Sequence, residues 1–117
     1  MRRKFSEAIE RIRPSCGSLT IEVLGERPCS GNVSLGALKS LTDRAADIIE
    51  EYTGSRPPVR SGSTDCNWPL SLGVPAICFG GYLGGGAHTR EEYVDLSTVP
   101  LGSSIVMSFI MSYYTEH

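Results

Sequence analysis

Residues 59–79 read VRSGSTDCNWPLSLGVPAICF, and the fold turns on how this stretch is parsed. After Pro57 and Pro58 comes a short extended piece, 59–61. The Ser63, Thr64 and Asp65 cluster ahead of Pro69, Leu70 and Leu72 reads as a helix start with Thr64 or Asp65 as its cap. Gly73 closes that helix, and residues 75–79, a brief apolar run bounded by glycines, read as a buried strand.

Working outward, Ser34 is a candidate N-cap, and Leu35, Leu38, Leu41, Ala45, Ile48, Ile49 and Tyr52 trace the apolar stripe of a helix of about five turns. Gly54 follows at the C-terminal position. Downstream, residues 80–86 contain five glycines and lead into Ala87, His88 and a cluster of acids. Residues 101–114 form an apolar helix carrying Ile105, Val106, Phe109, Ile110 and Tyr113. At the other end, Phe5, Ala8, Ile9 and Ile12 fall at helical spacing until Pro14. Residues 18–24 alternate, with Leu19, Ile21 and Val23 on one face, which reads as a half-buried strand. The turn-rich segment 25–32 suits a link between structural units, so the expected domains are 1–30 and 31–117. Helices and strands in this succession argue for an α/β layered architecture, and no internal repeat is present.

Composition excludes several classes. With 40% hydrophobic and 21% charged residues the chain has material for a core and is not expected to be disordered. A formal charge of −2 gives no large field for nucleic acid, and the basic cluster Arg2, Arg3 and Lys4 reads as a solvated helix end. No apolar run approaches the roughly 20 residues needed to span a bilayer, so neither a membrane span nor a secretory signal is expected. Cys16, Cys29, Cys66 and Cys78 are widely spaced, with no C-x-x-C pair, and read as reduced thiols in a cytoplasmic protein.

In open α/β sheets ligands sit beyond the carboxyl ends of strands, so the loops 61–67 and 80–92 are where chemistry is expected. His88 follows a glycine run, and an imidazole on such a loop can reach a metal with little hindrance. A lone histidine is also commonly a surface or hydrogen-bonded residue. Glu92 could orient the ring, or serve only as an acid in a helix's first turn. The turn 63–67 offers N–H groups and short polar side chains at a helix start, either a cradle for a carboxylate or carbonyl oxygen or simply a well-capped helix. Asn67 is harder to explain as structure, because an amide in a first turn favours neither helix nor core.

Three blocks in order, 62–67, 69–76 and 84–94, resemble the C-terminal signature of metallopeptidase family twenty, which includes peptidase T, acetylornithine deacetylase, succinyl-diaminopimelate desuccinylase and carboxypeptidase G. The resemblance implies a three-layer α/β/α zinc-peptidase domain from about residue 31 onward, preceded by a helix and strand of an α+β lid that often dimerises. It implies two zinc ions, with cobalt or manganese also accepted by such ligands, and a metal-activated water that attacks an amide carbonyl. His88 matches the last metal-binding histidine, Ser63, Thr64 and Asn67 match the substrate-pocket segment, and Gly85 and Gly86 border the same cleft. The remaining ligands, in an H-x-D motif, a later aspartate, a Glu-Glu pair and a further acid, have no counterpart in this sequence, nor has the general base. The expectation is therefore part of a di- or tripeptidase or N-deacylase acting on a peptide or N-acyl amino acid, inactive alone, and either oligomeric or paired with a missing N-terminal part. The rival readings are a non-catalytic assembly or regulatory module that keeps the fold, and a small α/β binding domain with coincidental motifs.

Overall fold

The computed structural model describes residues 2–115, with side chains from residue 3 onward. Four α-helices are present among them: α1 (Arg2–Ile12), α2 (Leu35–Thr53), α3 (Asn67–Ser71) and α4 (Val99–Thr115). A hairpin of β1 (Leu83–Gly85) and β2 (Tyr93–Asp95) completes the regular elements, with Gly84 opposite Val94 in an antiparallel register.

Helix α2 begins and ends where its local chemistry dictates. The Ser34 hydroxyl accepts the Ala37 N–H at 3.3 Å, satisfying one of the orphan donors of the first turn. At the other end Gly54 takes φ +72° and donates its N–H to the Glu50 carbonyl at 2.8 Å, a left-handed stop that costs glycine little. Between the caps Ala45 and Ala46 are buried, and the helix packs against α4.

Helix α4 is held from two sides. The Tyr52 and Ser108 hydroxyls hydrogen-bond at 2.7 Å across the α2–α4 contact, and the Phe109 ring meets Phe79 edge-on with centroids 5.2 Å apart. Gly102 and Ile105 are the buried residues of α4. Gly102 has no room for a side chain: an added Cβ would lie 1.7 Å from the Gly81 carbonyl oxygen. The helix backbone is thus seated directly on the 80–81 segment that feeds β1.

Three expected strands form no ladder. Residues 18–24, 59–61 and 75–79 have no strand partner, and among the described residues the hairpin is the whole of the sheet. The physical reason is that a strand is defined by its neighbour; alternation of side chains gives an extended backbone, not hydrogen bonds. Helix α3 is shorter than expected, and its cap position is Cys66, not Thr64 or Asp65. The apolar helix also runs longer than the sequence suggested. With its preceding 3-10 turn, Leu96–Thr115 is a charge-free run of 20 residues holding an 18-residue window of mean hydropathy 1.3, long and apolar enough to cross a membrane by length and composition alone. A mostly buried core helix passes the same test, but only 11% of this window is buried, and its packing is against α2.

The chain is open for its size. Its Cα radius of gyration is 19.8 Å, against about 13 Å for a compact domain of this length. Apolar side chains stand in solvent along its whole length, among them Val23 at 80%, Leu35 at 80% and Leu72 at 78% exposure. Such surface drives association. Sedimentation velocity of the 117-residue chain is therefore expected to show concentration-dependent self-association, and a single monomeric boundary at all concentrations would contradict this.

Candidate functional site

The turn at residues 62–67 is pinned to the segment that precedes α2. Asn67 does most of this: its Nδ2 donates to the Pro28 carbonyl at 2.8 Å, and its Oδ1 accepts the Thr64 N–H at 3.2 Å. An amide placed in the first turn of α3 thereby staples residues 28 and 64 together, which accounts for its presence without a ligand. Gly31 runs on beside the same helix, its N–H donating to the Leu70 carbonyl at 2.9 Å.

The backbone of the turn is largely self-satisfied. The Cys66 N–H donates to Thr64 Oγ1 at 3.2 Å, Asn67 N–H to the Thr64 carbonyl at 3.0 Å, and Trp68 N–H to the Asp65 carbonyl at 3.2 Å. The N–H cradle expected from the sequence is therefore closed at these three positions. What the turn presents instead is side chains. Arg27 Nη1 donates to the Ser63 hydroxyl at 3.4 Å, and its Nη2 lies 3.7 Å from an Asp65 carboxylate oxygen, with the guanidinium half exposed. Sequence reasoning passed over Arg27, whose one signal was a cation within the turn-rich link 25–32.

A groove of about 680 Å³ opens beside the turn, with Thr64, Cys66 and Asn67 on one wall and Leu38, Ala45 and Ile49 of α2 on another. Gly85, Gly86 and His88 are not among its lining residues. The two loops that the sequence placed around one cleft thus do not both line this groove.

His88 sits on the loop that joins β1 to β2. The loop is tied internally: Thr89 donates to the Gly86 carbonyl through both its N–H, at 2.9 Å, and its hydroxyl, at 2.7 Å, while Glu91 N–H donates to Thr89 Oγ1 at 3.2 Å. Gly86 has φ +66°, and a Cβ there would lie 2.8 Å from the Glu91 carbonyl oxygen, so the position accepts only glycine. Gly85 is covered by the Tyr93 ring, 2.9 Å from where its Cβ would be. An aromatic ring laid over a strand glycine supplies contacts the glycine lacks, which stabilises a hairpin that composition alone did not announce. The His88 side chain is exposed. Glu92, expected to grip the imidazole, has its carboxylate on the His88 backbone N–H at 3.1 Å.

The base of the hairpin carries an acid-sensitive lock. Asp95 Oδ1 accepts the Ser97 hydroxyl at 2.6 Å and the Ser97 N–H at 3.0 Å, and the Thr98 hydroxyl accepts the Leu83 N–H at 2.9 Å while donating to the Asp95 carbonyl at 2.7 Å. Hydrogen bonding first from the Ser97 hydroxyl and then from its N–H holds the Asp95 carboxyl below its ordinary value. A group lowered in this way stabilises the fold above its unfolded-state value, and that contribution is lost as pH falls through the lowered value. NMR titration is expected to show the Ser97 amide and the β1–β2 resonances shifting together in that acid range, a step absent from Asp95→Ala.

Among the described residues no three His, Cys, Asp or Glu side chains gather to hold a metal ion. Zinc ordinarily takes about three protein ligands in a catalytic site, so the donors present do not fit a resident metal without others. His88 offers one imidazole, on a loop held open to approach.

A family model described as peptidase family M20/M25/M40 matches residues 8–112. No curated protein and no solved structure matches the chain.

Proposed function

The chain belongs to peptidase family M20/M25/M40, and on that premise we propose that it is the C-terminal part of an amide-hydrolysing enzyme whose metal site is completed by another polypeptide segment. Membership makes it a relative of metallopeptidases and amidohydrolases, which are generally metal-dependent. The observation that carries the finer reading is the presentation of His88: an exposed imidazole on a short glycine-bounded loop fixed by Thr89 and Glu92. In this reading zinc, or cobalt or manganese in its place, takes His88 as one ligand. Residues 59–61 and 75–79 are strands of a three-layer α/β/α domain whose neighbours lie on the missing segment, and residues 1–30 end a lid. Segments without a strand partner among the described residues and exposed apolar side chains support that arrangement.

Charge at the turn supports a carboxylate-bearing substrate. Arg27, beside the Ser63 hydroxyl and 3.7 Å from an exposed Asp65 carboxylate oxygen, offers a cation that the free carboxylate of a peptide or N-acyl amino acid would take over from Asp65. A charge-assisted hydrogen bond is worth about 1.5–3 kcal/mol. Arg27→Met in the assembled enzyme is accordingly expected to raise KM about tenfold to a hundredfold, with a smaller change in kcat. Unchanged kinetics would remove Arg27 from the site.

The test of the proposal is to express the chain with a segment bearing the H-x-D and Glu-Glu motifs and assay hydrolysis of dipeptides and N-acyl amino acids. Activity of the pair, and none of either part, is expected. A second reading, a non-catalytic assembly module that retains the fold, is favoured by the lack of a three-donor group among the described residues and by the exposed apolar surface. An inactive but stable pair would select it.

A further inference from the structure

The turn-rich segment whose composition suits a link between two units is fastened, over most of its length, along one side of α3. Gly31 N–H donates to the Leu70 carbonyl at 2.9 Å, and Val33 N–H to the Gly31 carbonyl at 3.1 Å. The Asn67 amide donates to the Pro28 carbonyl at 2.8 Å. Backbone also meets backbone: a Cβ on Gly31 would lie 2.5 Å from the Ser71 carbonyl oxygen, and one on Gly73 would lie 3.1 Å from the Asn32 carbonyl oxygen. One glycine on each side of the seam thus lets 31–32 and 71–73 lie closer than side chains would permit. Immediately upstream the chain changes character. Residues 17–25 make no hydrogen bond or ion pair to another described residue, and Ile21, Val23 and Leu24 are exposed. A Cβ on Gly17 or Gly25 would meet nothing within 4 Å. Backbone with few bonds and little burial is the kind that opens and bends most readily.

We infer that the joint between the two parts of the chain is residues 17–25, and that 27–32 is a strap that moves as one body with α3 and the turn 62–67. Hinges absorb their motion in a few poorly packed residues, and the strap has several backbone contacts that bending would break. The consequence rests on the reading of Arg27 as a carboxylate site, though the geometry does not. Arg27 lies on the strap, so it keeps its place beside Ser63 while α1 reorients. The cation is then in position before a substrate arrives, and binding bears no cost of ordering it.

Backbone NMR of the full chain tests this residue by residue. The ¹H–¹⁵N NOE is expected to be low over 17–25 and level with α2 over 29–33, with the Gly31 amide exchanging about tenfold or more slowly than those of 17–25. Asn67→Asp keeps the oxygen that takes the Thr64 N–H but has no N–H for Pro28. Exchange of the Gly31 amide should therefore quicken about threefold to tenfold, the effect of one lost hydrogen bond. Gly31→Ala, which forces the strap off Ser71, should bring the NOE over 29–33 down to that of 17–25. Gly25→Ala should leave 29–33 unchanged, and α2 should hold its NOE in all three variants. A wild-type NOE that is equally low over 17–25 and 29–33, or equally high, overturns the inference. So does a strap that keeps its protection in both Asn67→Asp and Gly31→Ala. If the strap is rigid and Arg27→Met leaves KM of the assembled enzyme unchanged, the carboxylate reading fails while the joint stands.

Discussion

Gly102→Ala is expected to destabilise the fold by about 3 kcal/mol or more, the upper end of what overpacking costs. The added Cβ would sit 1.7 Å from the Gly81 carbonyl oxygen and 2.2 Å from its carbon, and both are backbone atoms that no rotamer change can move aside. Relief requires α4 to retreat from the 80–81 segment, which pulls Phe109 from Phe79 and Ser108 from Tyr52. Buried glycine in a helix is thus here a contact surface, although by helix propensity alone alanine would be preferred. Gly36→Ala on α2 provides the contrast, since nothing lies within 4 Å of its added Cβ, and it is expected to stabilise by about 0.5–1 kcal/mol. Thermal unfolding should report opposite shifts for the two, with the Gly102 variant lower by about 12 °C or more. Equal and small shifts would mean that α4 does not rest on Gly81.

His88→Ala is expected to abolish the activity of the assembled enzyme, by about a thousandfold or more. Metal ions contribute several kcal/mol to such hydrolyses, and each 1.36 kcal/mol is a factor of ten in rate. The loss should come with reduced metal content and an unchanged unfolding midpoint for the apo protein, because the side chain is exposed. Full activity in His88→Ala would remove the residue from the chemistry.

Local signals were legible in the sequence wherever the cause of a structure lies within one turn of chain. Ser34 and Gly54 bound α2 because a hydroxyl and a missing Cβ act on their immediate neighbours, and Gly73, at φ +80°, ends α3 for the same reason. Residues 18–24 and 75–79 pair with no strand among the described residues, because pairing depends on a distant partner that the alternation of Leu19, Ile21 and Val23 cannot specify. Gly102 was passed over since only the tertiary approach of Gly81 makes a helical glycine meaningful.

The candidate site divides in the same way. His88 and the turn 62–67 stood out by composition, whereas their partners did not. Asn67 bonds Pro28, Arg27 meets Ser63, and Glu92 takes a backbone N–H where a ring was expected. Each of those depends on where a side chain's reach ends, and spacing in sequence does not give that. Helix α4 adds a case in which the helical run extends beyond the residues 101–114 read from the sequence.

The most direct measurement is anomalous diffraction at the zinc edge from crystals of the chain assembled with its complementary segment. The account predicts a peak about 2.0–2.1 Å from a ring nitrogen of His88. A zinc peak held wholly by other side chains, with the His88 ring turned away from it, would contradict the account.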